Sequence, residues 1–199
     1  MKKAKTPAYP LSWEDSNRLI AGLFKDGKYR HSAYVRLAVD FGFRYVDTSK
    51  LTWGDVLRNR VGVLHITEQK TGKPATRTIY DNTKSHILSC WEALEHPEYD
   101  EPIMLSQKPG RDGKKRVATV QNLNQIMKRK ETGWIAQYDL TIHPQNFSTH
   151  SFRKTFGMKA YEKGGVVLAK KVLNHESLEV TNRYLLLDER DVLAFNPYE

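Results

Sequence analysis

Residues 41–56 read FGFRYVDTSKLTWGDV. In the stretch just before, HSAYVRLAVDFGF (31–43), Tyr34, Leu37, Ala38 and Phe41 recur at helical spacing and share one face. Gly42 stands just past the last of them, where helices commonly end in a left-handed residue. Arg44 follows, Asp47 lies one turn on, and Leu51, Trp53 and Asp55 come after it. TSKLTWGDV predicts a short helical turn leading to a strand. An amphipathic helix therefore stops here and the chain turns toward a sheet, which makes the fold class α+β rather than all-helical.

Downstream, VGVLHITEQ and PATRTIYD are β-rich and partly alternating, and KTGK (70–73) lies between them. Two such runs joined by a glycine-containing turn predict an antiparallel hairpin. NTKSHILSCWEALEH returns to helical spacing, with Ile87, Leu88, Trp91 and Leu94 assigned to one face and Pro97 ending the run. A turn-rich loop follows (99–118), then an amphipathic helix through Val120, Leu123, Ile126 and Met127. Upstream, Ser12 with Asp15 three residues on has a capping-box pattern that starts a helix. The last third reads as three helices: HSFRKTFGMKAYEKGG capped by Ser148 or Thr149, VVLAKKVLNH, and SLEVTNRYLLLDERDVLAF capped by Ser177. The expected architecture is a mostly helical domain over residues 12–199 with a small antiparallel sheet, preceded by a basic tail at 1–11.

The 199 residues, 39% apolar and 28% charged, read as a soluble globular chain long enough for a sizeable core. No apolar run is long enough to span a bilayer, and the basic start MKKAK has no apolar segment behind it that would make a secretory signal. The single cysteine, Cys90, excludes an intrachain disulfide framework, reads as a small buried hydrophobe, and fits a reducing, cytoplasmic setting. Thirty-two Lys and Arg against 23 Asp and Glu give a net charge of +9, which suits a polyanionic partner such as nucleic acid but equally a solvated basic surface. In the block 108–130, Lys108, Arg111, Lys114, Lys115, Arg116, Lys128, Arg129 and Lys130 face one acid, Asp112. Such a block lies along a duplex backbone or is simply a solvated loop, and both readings stand. The seven histidines are scattered without the Cys/His spacing of a zinc site.

Several polar residues recur in motifs. THSFRKTF places His150 and Arg153 three apart, on one helical face. Arg offers a planar fork of donors matched to phosphate oxygens, and His moves protons near neutrality. Lys70 occupies the hairpin tip, and NHESLEVTNRYLLLD (174–188) sets Tyr184 nine residues after His175. Singly, each motif also fits ordinary surface chemistry, and Tyr184 alone reads as a half-buried aromatic of the last helix.

Together and in this order they resemble the tyrosine recombinases, or phage-type integrases. FGFRYVDTSKLTWGDV resembles the family's first-arginine box, KTGK its hairpin lysine, THSFRKTF its H-x-x-R box, and VLNHES with TNRYL its second histidine and tyrosine. The 22-residue interval from Arg153 to His175 also fits. The resemblance covers residues from about 12 to 190 and implies the catalytic-domain fold of DNA breaking-rejoining enzymes. It implies that Arg44 and Arg153 clamp a scissile phosphate, that His175 donates to it, and that Tyr184 attacks phosphorus to form a 3′-phosphotyrosine. Lys70 would be the general acid for the leaving 5′-oxygen, and His150 the general base. A free phenol is only about 0.1% ionised at pH 7, so two nearby guanidiniums are expected to favour the phenolate. The implied partner is double-stranded DNA, with neither metal ion, cofactor nor ATP.

Type IB topoisomerases and telomere resolvases resemble the same core, and a DNA-binding protein that kept the fold without the chemistry is a third reading. Two positions depart from the family pattern. Asp47 stands where glutamate is more usual, which bears on how Arg44 is braced. Asn174 stands where glycine is usual before the second histidine. The family's N-terminal DNA-clamping domain has no counterpart in this sequence, so weak, salt-sensitive DNA binding and a monomeric state are expected of the chain alone. The segment LLLDERDVLAF (185–195) either docks on a neighbour in a tetramer on DNA or folds back on its own core.

Overall fold

A computed structural model describes residues 6–106, 109 and 112–185. Helix α1 (Trp13–Lys25) starts where Ser12 Oγ accepts a hydrogen bond from Asp15 N at 2.9 Å. The Asp15 carboxylate does not return that bond. It accepts instead from the backbone N and hydroxyl of Thr141, at 3.1 and 2.6 Å, so the first turn of α1 also anchors a distant loop. Helix α2 (Tyr29–Phe41) closes at Gly42, whose φ of 63° is the left-handed value expected for a helix-terminating glycine.

Two short helices, α3 (Tyr45–Thr48) and α4 (Trp53–Leu57), follow, the second opened by a reciprocal capping box between Thr52 and Asp55. Strands β1 (Val63–Thr67) and β2 (Pro74–Thr78) pair antiparallel, Val63 opposite Thr78 and Thr67 opposite Pro74. After them come α5 (Asp81–Ala93), α6 (Val120–Lys128), α7 (Trp134–Gln137), α8 (Thr149–Leu173) and α9 (Leu178–Leu185). Ser148 caps α8, and Gly164 and Gly165 interrupt it with non-helical dihedrals, the break anticipated between the first two C-terminal helices.

Helix α2 serves two cores. Tyr34, Val35, Ala38 and Val39 pack with residues of α1, α6 and the loop before α8. Ala33, Leu37 and Phe41 pack with Trp53, Leu64, Ile87 and Cys90. A third, smaller cluster joins α8 to α9 through Ala160, Ala169, Leu173 and Leu185. On α5 the structure corrects the expected face. Leu88 is 41% exposed, and the inward stripe runs through Thr83, Ile87 and Cys90, with Trp91 and Leu94 partly buried beside it. Thr83, Ile87 and Cys90 recur at i, i+4 and i+7, which turns the neighbouring Leu88 off that stripe, and burial pushes the Cys90 thiol up to about 12, leaving it inert.

Among the described residues no helix is long and apolar enough to cross a membrane. The expectations for the tail at 1–5, for Lys108 and Arg111, and for the C-terminal segment beyond Leu185 lie outside the described residues.

Gly42 does more than end a helix. A Cβ there would lie 2.1 Å from the Phe156 ring as well as demand a left-handed backbone. Gly42→Ala is expected to cost about 2–4 kcal/mol in urea unfolding. Gly27→Ala, at φ 70° with nothing within 4 Å, is the control and should cost about 1–2 kcal/mol.

Candidate active site

Helices α2 and α8 end side by side, each in a left-handed residue: Gly42, and Asn174 at φ 57°. Asparagine is the non-glycine residue that best tolerates this conformation. Its amide also donates to the Pro74 carbonyl at 3.2 Å, tying the hairpin to the α8–α9 turn. The carbonyls at such helix ends carry partial negative charge and need donors. Two arginines supply them. Arg153 Nη1 donates to Gly42 O at 2.7 Å and its Nη2 to Leu173 O at 2.5 Å. Arg77 Nε donates to Phe41 O at 2.6 Å and its Nη2 to Val172 O, with the guanidinium flanked by the rings of Phe43 and Phe156. Burial, then the charge of Arg153, lowers the Arg77 pKa to about 10, which still leaves it charged at neutral pH.

At the centre sits Glu68, fully buried at the end of β1. Its Oε1 lies 3.3 Å from Arg153 Nη1 and its Oε2 3.0 Å from Arg44 Nη1. Thr71 Oγ1 donates to Oε2 at 2.8 Å. Burial alone would raise the carboxyl pKa. The hydrogen bond from Thr71 and the charges of Arg153 and Arg44 outweigh it and hold the group below the ordinary carboxylate value.

Glu68 was missed from sequence, where it reads as one more charge before a lysine-bearing turn. The signal was period two, since Leu64, Ile66 and Glu68 share the inward face of β1. Asp47, by contrast, does not brace Arg44. Its Oδ1 accepts from Gln69 N at 2.9 Å, so it fixes the start of the hairpin loop next to Glu68. The shorter acid at this position therefore bears on the loop, not on the aim of Arg44.

The other expected residues gather around this carboxylate. His175 follows Asn174, and its Nδ1 shares a hydrogen bond with Thr181 Oγ1 at 3.2 Å. Burial, followed by the charges of Arg153 and Arg44, lowers its pKa to about 4. His150 stands in the first turn of α8, and its pKa is lowered first by desolvation, then by Arg153, Arg44, Lys70 and Lys154. Both rings are held toward the neutral form. Lys70 is exposed in the loop between β1 and β2, close enough for its charge to act on His150.

Tyr184, on α9, lies in the same chain's site. Its ring meets that of His175 edge-on at 5.1 Å, and its hydroxyl is buried without a hydrogen-bond partner. Burial raises its pKa to about 12, against the opposing pull of Arg153 and Arg44. The arginines thus favour the phenolate as expected, but burial outweighs them. A second residue unforeseen from sequence is Lys154, which is buried and whose Nζ lies 4.9 Å over the Tyr184 ring. Among the described residues no group of His, Cys, Asp and Glu is placed to hold a metal ion.

The fold is similar to that of XerA recombinase, with a TM-score of 0.68 and 16% identity over 96% of this chain and 64% of that one. It is similar to lambda integrase residues 75–356, solved as a dimer bound to a COC′ core site, with a TM-score of 0.64 and 17% identity over 94% of this chain and 62% of that one. The catalytic domain of bacteriophage HP1 integrase aligns with a TM-score of 0.54 and 20% identity over 96% of both chains. The chain thus spans less than two-thirds of XerA recombinase, and 54% of XerH recombinase. No curated protein matches it in sequence. A model of the phage integrase family matches residues 11–190, a span that contains every residue of the helix-end site, and the chain belongs to that family.

Proposed function

We propose that this chain is the catalytic domain of a site-specific tyrosine recombinase, an integrase of a mobile element, which cleaves and rejoins duplex DNA through a 3′-phosphotyrosine. The observation that carries this reading is the pairing of Arg44 and Arg153 on one buried carboxylate, with Tyr184 of the same chain held against them. Two guanidiniums fixed at one point are a receptor for a phosphodiester, whose non-bridging oxygens gain negative charge as it is attacked.

The chemistry follows from what each group can give. The Tyr184 oxygen attacks phosphorus, the P–O bond to the 5′-oxygen breaks, and the phosphate stays on the enzyme. The phenol proton must go to a base, because a phenol with a pKa of about 12 is ionised in only about one molecule in 10⁵ at pH 7. His150, held neutral, is that base. Lys70, on its exposed loop, gives the proton the 5′-oxygen needs. His175 donates to a non-bridging oxygen once the phosphate anion offsets the two positive charges that now depress its pKa. Rejoining runs the same steps backward. The linkage to tyrosine conserves the energy of the broken ester, so the residues present suffice without ATP or metal.

Incubation with a pool of nicked duplexes carrying randomised flanks should leave wild-type protein attached to DNA through denaturing detergent, and Tyr184→Phe should abolish that attachment. Persistence of the adduct in Tyr184→Phe, or its absence from both proteins, contradicts the reading. Glu68→Gln should slow adduct formation by about 10²-fold, because it frees both guanidiniums to shift. It also tests the carboxyl's depressed pKa. A carboxylate favoured by folding contributes stability that is present above its unfolded value and lost as pH falls through its folded one. Wild type should therefore lose stability as pH drops below about 4.3, and Glu68→Gln should lose measurably less over that range in acid titrations of unfolding.

A further inference from the structure

Lys154 immediately follows Arg153 and, at 4% exposure, is one of the few buried cations in the protein. Lysine is almost never buried without a partner, because taking an ammonium out of water is costly. Among the described residues no carboxylate lies within ion-pair distance of Lys154 and its side chain makes no hydrogen bond; its stem is buried, while its ammonium lines a pocket and keeps contact with solvent there. What it has is the π-face of Tyr184, 4.9 Å from Nζ to the ring centre, inside the range of a cation–π contact. Helices α8 and α9 pack together at this point. The contact faces a pocket of about 440 Å³ bounded by Pro7 and Ala8 on one side and by His150, Arg183 and Tyr184 on the other.

Among the described residues, charged and titratable groups stand beside Lys154 on two helices. On its own helix stand His150 and Arg153. From α9 come Tyr184 itself and Arg183, whose guanidinium pairs with Glu179. Pro7 and Ala8 of the N-terminal segment bring none. That segment is itself pinned, with Tyr9 N donating to Asn146 O at 2.9 Å and Leu11 N to Thr155 Oγ1 at 2.9 Å. The tyrosine ring is thus gripped on its edge by His175 and on its face by Lys154. Its hydroxyl makes no hydrogen bond of good geometry, although it lies near enough to Arg153 to feel that donor, so the ring contacts help set where the oxygen lies.

We propose that Lys154 is a positioning residue for Tyr184: its ammonium holds the ring face so that the hydroxyl is aimed at the phosphate clamp of Arg44 and Arg153. The proposal rests on Tyr184 being the nucleophile. A cation over an aromatic face is a stronger and more directional hold than an aliphatic stem, and it exists only while the amine is protonated. Desolvation lowers the pKa of Lys154 to about 8, so the hold weakens as pH rises through that value.

The test measures the rate of covalent adduct formation on the nicked-duplex pool for wild type, Lys154→Met and Lys154→Arg, alongside thermal unfolding. Lys154→Met keeps the stem and removes the charge. It should slow adduct formation about tenfold while the unfolding midpoint holds or rises, since a partly desolvated charge is gone. A purely structural lysine would lose rate and stability together, or neither. The wild-type rate should fall above pH 8, and Lys154→Arg, charged throughout, should restore most of the rate at pH 7 and show no such fall. A wild-type rate in Lys154→Met, or the same alkaline fall in Lys154→Arg, overturns the proposal and leaves the nucleophile assignment standing. Failure of wild type itself to form an adduct removes that assignment, and the proposal with it.

Discussion

A single buried carboxylate organises this protein. Glu68 sits out of water between two guanidiniums, and neither side of that arrangement is stable without the other. Removing one partner from a buried ion pair typically costs about 3–5 kcal/mol, because the remaining charge is left uncompensated. Here the carboxylate serves two cations, and its hydrogen bond from Thr71 ties it to the loop that carries Lys70. The hairpin, the end of α2 and the end of α8 are therefore held to one point. Under the proposed function, a phosphate arriving there would meet donors whose positions were fixed during folding, with little reorganisation left for the moment of reaction.

The helix ends complete the frame. Partially negative carbonyls from α2 and α8 would repel each other and repel a phosphate if left bare. Arg77 and Arg153 each bridge one carbonyl of α2 to one of α8, which binds the two ends together and neutralises them. Both helices must stop abruptly for this to work. Gly42 and Asn174 provide the left-handed turns, and the Phe156 ring packs so close to Gly42 that no side chain fits. Just beyond these ends the chain delivers Arg44 on one side and His175 on the other.

Much of this was legible in the sequence because it is local. The α2 stripe with its closing glycine, the alternation flanking KTGK, the Ser148 cap and the nine-residue interval from His175 to Tyr184 each depend on residues close in the chain. What was not legible depends on tertiary burial. Glu68 reads as one more charge at the end of the β-rich run VGVLHITEQ, and only the tertiary fold takes it out of water. Asp47 was read against Arg44, its neighbour one turn away, but binds Gln69 across the fold. The α5 stripe runs through Cys90 rather than Leu88, because which side of that helix turns inward is decided by the elements packed against it. The ionisation of Tyr184 went the same way, since nearby arginines are visible in the motifs whereas the desolvation that outweighs them is not.

The central claim is that one chain holds the complete site, with Tyr184 acting on the phosphate bound by its own Arg44 and Arg153. A mixing experiment tests it most directly. Tyr184→Phe supplies an intact clamp without a nucleophile, and Arg153→Lys a nucleophile without an intact clamp. The account predicts that an equimolar mixture forms no more covalent DNA adduct than either variant alone. Adduct recovered in the mixture, with the DNA on the Tyr184-bearing chain, would show that the tyrosine is delivered to a neighbour's clamp and would contradict it.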